Sequence, residues 1–385
     1  MNNDLSSMKY SNQLQNLPDS YAAINDDETL KRIQKIKTAL GENLVILGHN
    51  YQTGKILSIA DHSGDSYELA KVAAATQKAQ FIVFCGVIFM AESADILTSP
   101  HQRVIIPSPA AACPMAGMAE LVQVSNAWNN LQDIDKDHST VPVTYMNSYA
   151  SIKSFCGARG GAVCTSSNAK KLFEWGLYRY NRLFFFPDEH LGRNTAYELG
   201  FSEKDLAVWN PWAGENGGLS PELIRNTKIM LWAGNCQVHQ RLTTEDVVFI
   251  REHYPEARII VHPECNREVV EQADASGSTG QIIKAVESSK PDSIWAIGTE
   301  CHLVDYLKKQ HPDKQILQLG DRLRATCRAM SMVTPQHVLW VLDKIAAGDP
   351  VNIVRVDKDI AQNASKALNR MIEITSSTKK NNKNA

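Results

Sequence analysis

Short apolar runs of strand character alternate with helical patterns along most of the chain, and this alternation restricts the fold more than any other feature. Continuous apolar runs of this length are typical of buried parallel strands, and their alternation with helices indicates α/β units. Nine such runs occur among the 385 residues: Leu44–Leu47, Phe81–Cys85, Val104–Pro107, Val143–Tyr145, Phe184–Phe186, Ile229–Trp232, Arg258–Val261, Ile294–Ile297 and Ile316–Leu319. The sequence therefore predicts an α/β fold.

The nine runs form three groups of three that carry the same landmarks in the same order. The first run of each group ends in a polar cluster, at residues 48–51, 145–148 and 261–264. A small hydroxyl-rich turn follows 17, 19 and 16 residues later, and it opens a helical pattern. Each group then leads into a cysteine, and these are Cys113, Cys236 and Cys327.

These landmarks predict three similar αβα units with short parallel sheets around a pseudo-threefold axis. Sites in parallel sheets lie at the carboxyl ends of the strands, so three strand ends would face that axis. The predicted segments are 1–25 (disordered), 26–135 (unit one), 136–242 (unit two), 243–375 (unit three with C-terminal helices) and 376–385 (disordered). Unit two is longer by about 22 residues, and we interpret residues 194–226 as an insertion with little effect on the core.

The cysteines are candidates for a metal site. The chain has eight and no C-x-x-C pair, which removes the usual signature of zinc ribbons and thioredoxin-like sites. A single cysteine is usually a small buried hydrophobe. Three thiolates at equivalent positions would instead bind a soft metal centre and leave one coordination position open. An iron–sulfur cluster fits this pattern, and a three-cysteine zinc site with bound water is the alternative.

The turns and strand ends supply candidate binding and catalytic groups. A helix N-terminus is an anion site, so three of them would suit a substrate with carboxylates and a phosphate. The polar residues that follow the first strands could move protons or orient an amide or carboxylate. They are His49, Tyr51, Tyr145, Asn147, His262 and Glu264, and Glu264 is the best acid/base candidate.

Composition narrows the class of protein. Forty basic and 42 acidic residues give a net charge of −2, which offers no footprint for nucleic acid. No stretch approaches the roughly 20 apolar residues that span a bilayer, so we predict no membrane contact. The polar start of the chain has no signal-peptide pattern, which favours a cytoplasmic protein without structural disulfides.

Eleven ordered segments strongly resemble those of quinolinate synthases. They run in order between about Lys31 and Ile374, over nearly the whole predicted folded chain. The segments are 49–52 (HNYQ), 64–66 (GDS), 89–92 (FMAE), 113–116 (CPMA), 145–148 (YMNS), 164–168 (CTSSN), 187–192 (PDEHLG), 236–239 (CQVH), 261–264 (VHPE), 277–281 (GSTGQ) and 327–330 (CRAM).

The resemblance implies a pseudo-threefold α/β fold and one 4Fe-4S cluster held by Cys113, Cys236 and Cys327. It implies condensation of iminoaspartate with dihydroxyacetone phosphate to quinolinate, phosphate and water, on the de novo path to NAD. The open iron would act as a Lewis acid, and a transient contact with the enzyme that supplies iminoaspartate would be a further partner.

The resemblance also assigns residues. The positions that match catalytic residues are Glu264, Tyr51 and His49. The positions that match substrate-binding residues are His49, Ser66, Tyr145, Met146, Asn147, Ser166, His262, Pro263, Glu264, Ser278 and Thr279. A three-cysteine zinc lyase or hydrolase is the competing prediction. A non-enzymatic iron–sulfur sensor ranks lower, because the sequence has no basic helix-turn-helix pattern or basic arm.

Overall fold

The computed structural model describes residues 14–134, 139–320 and 324–381. The chain divides into two compact units. Unit 1 contains Met1–Ala112 with Arg328–Asp357, and unit 2 contains Cys113–Cys327 with Lys358–Ala385. This division puts the second and third predicted groups in one unit, and the boundaries predicted for three separate units stay a prediction.

Each of the nine predicted strands is present. The strands are β1 Leu44–His49, β2 His62–Gly64, β3 Phe81–Cys85, β4 Arg103–Ile105, β5 Thr140–Tyr145, β6 Ala162–Cys164, β7 Arg182–Phe186, β8 Leu206–Trp209, β9 Ile229–Trp232, β10 Arg258–Val261, β11 Ala275–Ser276, β12 Ile294–Gly298, β13 Gln315–Gln318 and β14 Ile353–Val354. The strands that sequence analysis did not predict are five short ones: β2, β6, β8, β11 and β14.

The helices fill the intervals between these strands. They are α1 Asp19–Ala22, α2 Asp26–Leu40, α3 Gly54–Ile59, α4 Ser66–Ala75, α5 Ile88–Leu97, α6 Leu121–Ile134, α7 Ala150–Ala158, α8 Ala169–Arg179, α9 Glu189–Glu198, α10 Pro221–Asn226, α11 Thr244–His253, α12 Arg267–Gln272, α13 Thr279–Glu287, α14 Cys301–Gln310, α15 Arg328–Ser331, α16 Pro335–Ala346 and α17 Lys358–Asn381.

Two of these helices reach into the terminal segments predicted to be disordered. Helix α1 lies within 1–25, and α17 continues to Asn381. Residues 1–13 and 382–385 lie outside the described residues, so the prediction of disorder is not tested there.

The three sheets share one topology. The strand orders are β2-β1-β3-β4 in unit 1, and β6-β5-β7-β9 and β11-β10-β12-β13 in unit 2. All pairs within these series are parallel. In each sheet the second strand in the chain lies at the edge beside the first, directly before the hydroxyl-rich turn. The fold is therefore α/β with short parallel sheets, consistent with repeated αβα units, while the threefold axis stays a prediction.

The 194–226 segment is built into the second sheet, which corrects its interpretation as an insertion with little effect on the core. Strand β8 pairs in parallel with β9 at the sheet edge. Trp209 at its end is buried, and its ring centroid lies 6.1 Å from that of Phe184. Trp212 is exposed, so only part of the segment lies at the surface. The large apolar side chains of β8 favour the sheet over solvent.

The strands form because their side chains are buried on both faces of each sheet. Every residue of β7 and β9 is buried, and Phe184, Phe186 and Trp232 pack their rings together. Helix α17 crosses α7 so closely that a Cβ on Gly157 would lie 1.8 Å from the backbone oxygen of Asn363. Among the described residues, no helix combines the length and apolar character needed to cross a membrane.

Candidate active site

The same backbone hydrogen bond orients a histidine at the end of β1 and directly after β10. In unit 1 the N–H of Tyr51 donates to Nδ1 of His49 at 3.1 Å, and the two rings meet edge to face. In unit 2 the N–H of Glu264 donates to Nδ1 of His262 at 3.3 Å. A nitrogen that accepts a hydrogen bond carries no proton, so the neutral form of each ring holds its proton on Nε2. The sequence repeat thus extends to side-chain orientation.

The hydroxyl-rich turns precede helices in both units, as predicted, but their hydroxyls differ. Ser66 is the first residue of α4, whose N-cap is Asp65 in a capping box. Ser166 lies half-buried before α8. Ser278 caps α13, and its Oγ accepts the N–H of Gln281 at 3.4 Å.

Thr279 is the hydroxyl with the clearest capacity for a ligand. It is the first residue of α13 and only 4% exposed. Within the described part of the chain, its Oγ1 has no hydrogen-bond partner. A buried polar atom without a partner costs free energy, typically about 1–3 kcal/mol, unless a ligand or water completes it.

The sheet that contains β5 places Tyr145 beside the loop that follows β10. Tyr145 ends β5 and is buried, and its hydroxyl donates a hydrogen bond to the Glu264 carboxylate. The next residue, Met146, is buried with its N–H donated to the Cys164 carbonyl at 2.7 Å. Asn147 follows and is half-buried. Unit 2 therefore brings together two of the strand ends that the sequence predicted to meet.

Glu264 forms a buried contact with two imidazoles. Its Oε2 lies 2.7 Å from Nδ1 of His239 and 3.8 Å from Nδ1 of His262. The two imidazoles stack with centroids 4.4 Å apart, and Nε2 of His239 lies 3.2 Å from the Thr299 hydroxyl. All three titratable residues are at most 2% exposed. Because His262 Nδ1 accepts a backbone N–H, His239 is the imidazole that can place a proton directly against the carboxylate.

The pKa of Glu264 reflects these neighbours. Burial would raise the pKa of Glu264, but the charges of His262 and His239, with hydrogen bonds from His239 and Tyr145, outweigh burial and lower the pKa to about 2. The carboxylate is therefore ionised at neutral pH.

Side-chain amides hold the loop that carries Glu264. Nδ2 of Asn194 donates to the carbonyls of Pro263 and Cys265 at 2.9 and 2.8 Å. Nε2 of Gln240 donates to the carbonyl of Glu264 at 3.1 Å. Three consecutive carbonyls are thereby fixed from outside the loop. Such support limits the positions that the carboxylate can take.

A second buried carboxylate lies near this loop. Asp188 caps α9 by accepting the N–H of Leu191 at 2.6 Å, and it is fully buried. Burial, followed by the charge of Glu264, raises the pKa of Asp188 well above its usual range. Asp188 anchors the helix that carries Asn194.

The three predicted metal ligands lie in unit 2 and share an environment. Cys113, Cys236 and Cys327 are partly exposed. The pKa of Cys113 is raised to about 12, first by burial and then by the charge of Cys327. The pKa of Cys236 is raised by burial, then by Glu264, and to a smaller extent by Cys113 and Cys327. The three sulfurs are therefore close enough for their charges to interact.

This arrangement fits a cationic centre. Thiolates that repel one another need a positive charge between them to remain ionised, and sulfur ligands favour soft centres such as iron–sulfur clusters or zinc. The other five cysteines, Cys85, Cys156, Cys164, Cys265 and Cys301, are buried and match the structural interpretation of a lone thiol.

His239 and Asn194 contribute to this site but were not predicted from the sequence. His239 lies three residues after Cys236 in a segment that was recognised, so that motif contained the signal. Asn194 carried no local signal, because its partners are 69 and 71 residues away in the chain.

Comparison with known proteins identifies the family. A family model described as "Quinolinate synthetase A protein" matches residues 31–373. A quinolinate synthase of Halobacterium salinarum is 45% identical over 371 residues, which are 96% of this chain and 98% of the relative. Quinolinate synthases of Geobacillus sp. and Bacillus subtilis are 46% and 45% identical and cover 94% and 96% of this chain and 98% of each relative. The chain therefore belongs to the quinolinate synthase family.

Proposed function

We propose that this enzyme condenses iminoaspartate with dihydroxyacetone phosphate to quinolinate, phosphate and water, and that Cys113, Cys236 and Cys327 hold one 4Fe-4S cluster. The observation that carries the proposal is the separation of the cysteines into two classes. Three are partly exposed, and their sulfurs lie within range of one another's charge, while the other five are buried. When bound, the cluster would supply a Lewis acid with one iron that has no protein ligand.

Proton transfer is assigned to Glu264 and the groups around it. Condensation to an aromatic ring requires protons to leave carbon and water to depart, so a base and an acid must both reach the substrate. The Glu264 carboxylate accepts a proton, and the adjacent His239 imidazole can hold one at 2.7 Å. Tyr145 keeps the carboxylate oriented by its hydrogen bond. Tyr51 and His49 are assigned proton-transfer roles from the family resemblance of their segment.

Binding of the anionic groups is assigned to the helix N-termini and strand ends. The N–H groups at the starts of α4 and α13 can bind carboxylate or phosphate oxygens. Ser66, Ser278 and Thr279 would line these positions, and Ser166 would line the start of α8. The unpartnered Thr279 hydroxyl supports this assignment most directly. His262, Pro263, Met146 and Asn147 are proposed to contact the substrate at the strand ends.

The test is a purification without oxygen followed by two measurements. Iron and acid-labile sulfide should each approach four per chain, with the visible absorption of a 4Fe-4S cluster. The same protein should form quinolinate from supplied iminoaspartate and dihydroxyacetone phosphate. Full activity of protein that lacks iron and sulfide would contradict the cluster assignment.

A zinc enzyme is the second candidate, since a different set of ligands also lies close together. Ligand atoms of Cys236, His239 and Glu264 all lie within 4.8 Å of one another, and sulfur, nitrogen and oxygen are the donors that zinc takes. One zinc per chain, no sulfide and a colourless active protein would favour this candidate.

A further inference from the structure

The segment that carries Cys327 is tied to the start of α14 at successive residues. The carbonyl of Ala325 accepts the N–H of Cys301 at 2.9 Å. The hydroxyl of Thr326 lies 3.2 Å from the Cys301 sulfur. The N–H of Cys327 itself donates to Oε1 of Glu300 at 3.0 Å. Three consecutive residues thus contact Cys301, the first residue of α14, and Glu300, the N-cap of that helix.

Glu300 is the centre of this arrangement and is fully buried. It caps α14 by accepting the N–H of His302 at 2.8 Å through Oε2. Its Oε1 accepts from the His302 ring at 2.9 Å as well as from Cys327. A buried carboxylate is stable only when donors surround it, and these three N–H groups meet that need.

Charged neighbours and burial together determine the protonation of His302. Its pKa is raised, first by the hydrogen bond to Glu300, with burial opposing, the charges of Glu300 and Asp305 adding and Arg324 opposing. Arg324 and Asp305 form an exposed ion pair across the same segment. The Glu300 carboxylate therefore stabilises a proton on the His302 ring.

A cation site is the competing interpretation of this cluster. Ligand atoms of Glu300, Cys301 and His302 lie within 4.8 Å of one another. Both oxygens of Glu300, however, already accept N–H donors, two of them from the backbone. A bound cation would have to displace those donors, so the geometry favours a supporting role over a second metal centre.

We propose that Glu300 is a positioning residue that fixes the main chain of Cys327 and thereby orients its sulfur toward the metal centre. This inference rests on the proposed function for the identity of the centre. Outer groups that orient metal ligands typically change metal affinity by about 10–100-fold when they are removed.

The experiment compares cluster loss from oxygen-free holoprotein in excess chelator, followed by visible absorption. Glu300→Ala removes the acceptor, and the cluster should be lost about 10–100-fold faster than in wild type. Glu300→Gln keeps one carbonyl oxygen for the Cys327 N–H, and its rate should fall between the two. Asp305→Ala is the matched control, because it removes an exposed ion pair between α14 and the same segment but leaves Glu300 in place, and its rate should stay within about threefold of wild type.

Two results would overturn the inference. One is a Glu300→Ala protein with unchanged circular dichroism and a wild-type rate of cluster loss. If Glu300→Ala does not fold, the second result is a Glu300→Gln protein that loses its cluster at the same rate as Asp305→Ala.

A second readout separates this inference from the proposed function. In metal-free protein, the alkylation rate of Cys327 can be measured by peptide mass spectrometry. Faster alkylation in Glu300→Gln than in wild type supports the tether even if wild type holds no cluster, in which case the proposed function alone fails. Equal alkylation rates would show that Glu300 does not hold the segment.

Discussion

The Glu264–His239 contact predicts that these two side chains act as one proton-transfer unit. Their polar atoms lie 2.7 Å apart and both residues are at most 2% exposed, so changes at the two sites should be strongly coupled. Glu264→Gln keeps the shape but removes the titrating group. His239→Asn keeps a polar donor but cannot carry a proton.

The expected magnitudes follow from these losses. Glu264→Gln should lower kcat by about 10²-fold or more, which corresponds to about 2.7 kcal/mol of transition-state stabilisation. His239→Asn should lower kcat by about 10–10²-fold. If the pair acts as a unit, the kcat of the double variant should be close to that of Glu264→Gln alone. Independent contributions would instead multiply to a loss in kcat of about 10³-fold or more.

The assay is steady-state quinolinate formation from supplied iminoaspartate and dihydroxyacetone phosphate, with iron measured in every variant. KM should change much less than kcat, because the lost interaction acts in the transition state. Glu189→Gln is the control, since that carboxylate forms an ion pair with Arg193 at 2.8 Å and is absent from the predicted site. A double variant that shows the product of the single losses would refute the unit. Near wild-type turnover of Glu264→Gln would show that another group, such as Tyr51 or His49, carries the proton.

Four further predictions concern other parts of the molecule. Cys236→Ser should abolish iron and sulfide binding, whereas the same change at the fully buried Cys85 should leave iron content near wild type. Asn194→Ala removes both amide donors to the Glu264 loop, and it should lower kcat by about tenfold or more with iron content unchanged. Gly157→Ala should lower the free energy of unfolding by about 1–3 kcal/mol in a denaturant titration, because its Cβ would overlap the backbone of α17. Because the pKa of His302 is raised in the folded state, its ion pair with Glu300 stabilises the protein below about pH 6.5, and this stabilisation is lost as pH rises through the folded-state pKa. The Tm deficit of His302→Gln should therefore shrink from about pH 6 to about pH 9.

The central strands could be predicted from the sequence because strands buried on both faces consist of continuous apolar runs. Phe81–Cys85 and Ile229–Trp232 were predicted with the bounds that the structure has. The edge strands were missed because strands of two or three residues such as His62–Gly64 have no apolar pattern and form only beside a neighbour. Strand β8 was missed for another reason: its Gly- and Pro-rich surroundings are typical of a loop, while Trp209 packs into the sheet.

The candidate site also contains residues that the sequence pattern could predict and residues that it could not. Cysteines and strand-end residues could be located because each repeat places them at a fixed distance from a recognisable landmark. Their supports could not, since the contacts of Asn194 and Glu300 join residues 27 to 71 positions apart. A side-chain amide or a capping carboxylate has the same local pattern whether or not it holds a distant loop. Tertiary contacts alone decide that role.

The repeated backbone also explains how similar units can present different polar groups at equivalent positions. At the last residue of β1 and directly after β10, a histidine accepts the N–H of the residue two positions later. That later residue is Tyr51 in one repeat and Glu264 in the other, so the same geometry presents a phenol in one and a carboxylate in the other. Of these two, Glu264 has a second imidazole against it, supplied by the segment that follows Cys236. The fold thus repeats the position, and the chemical difference between repeats comes from one side chain and its neighbour.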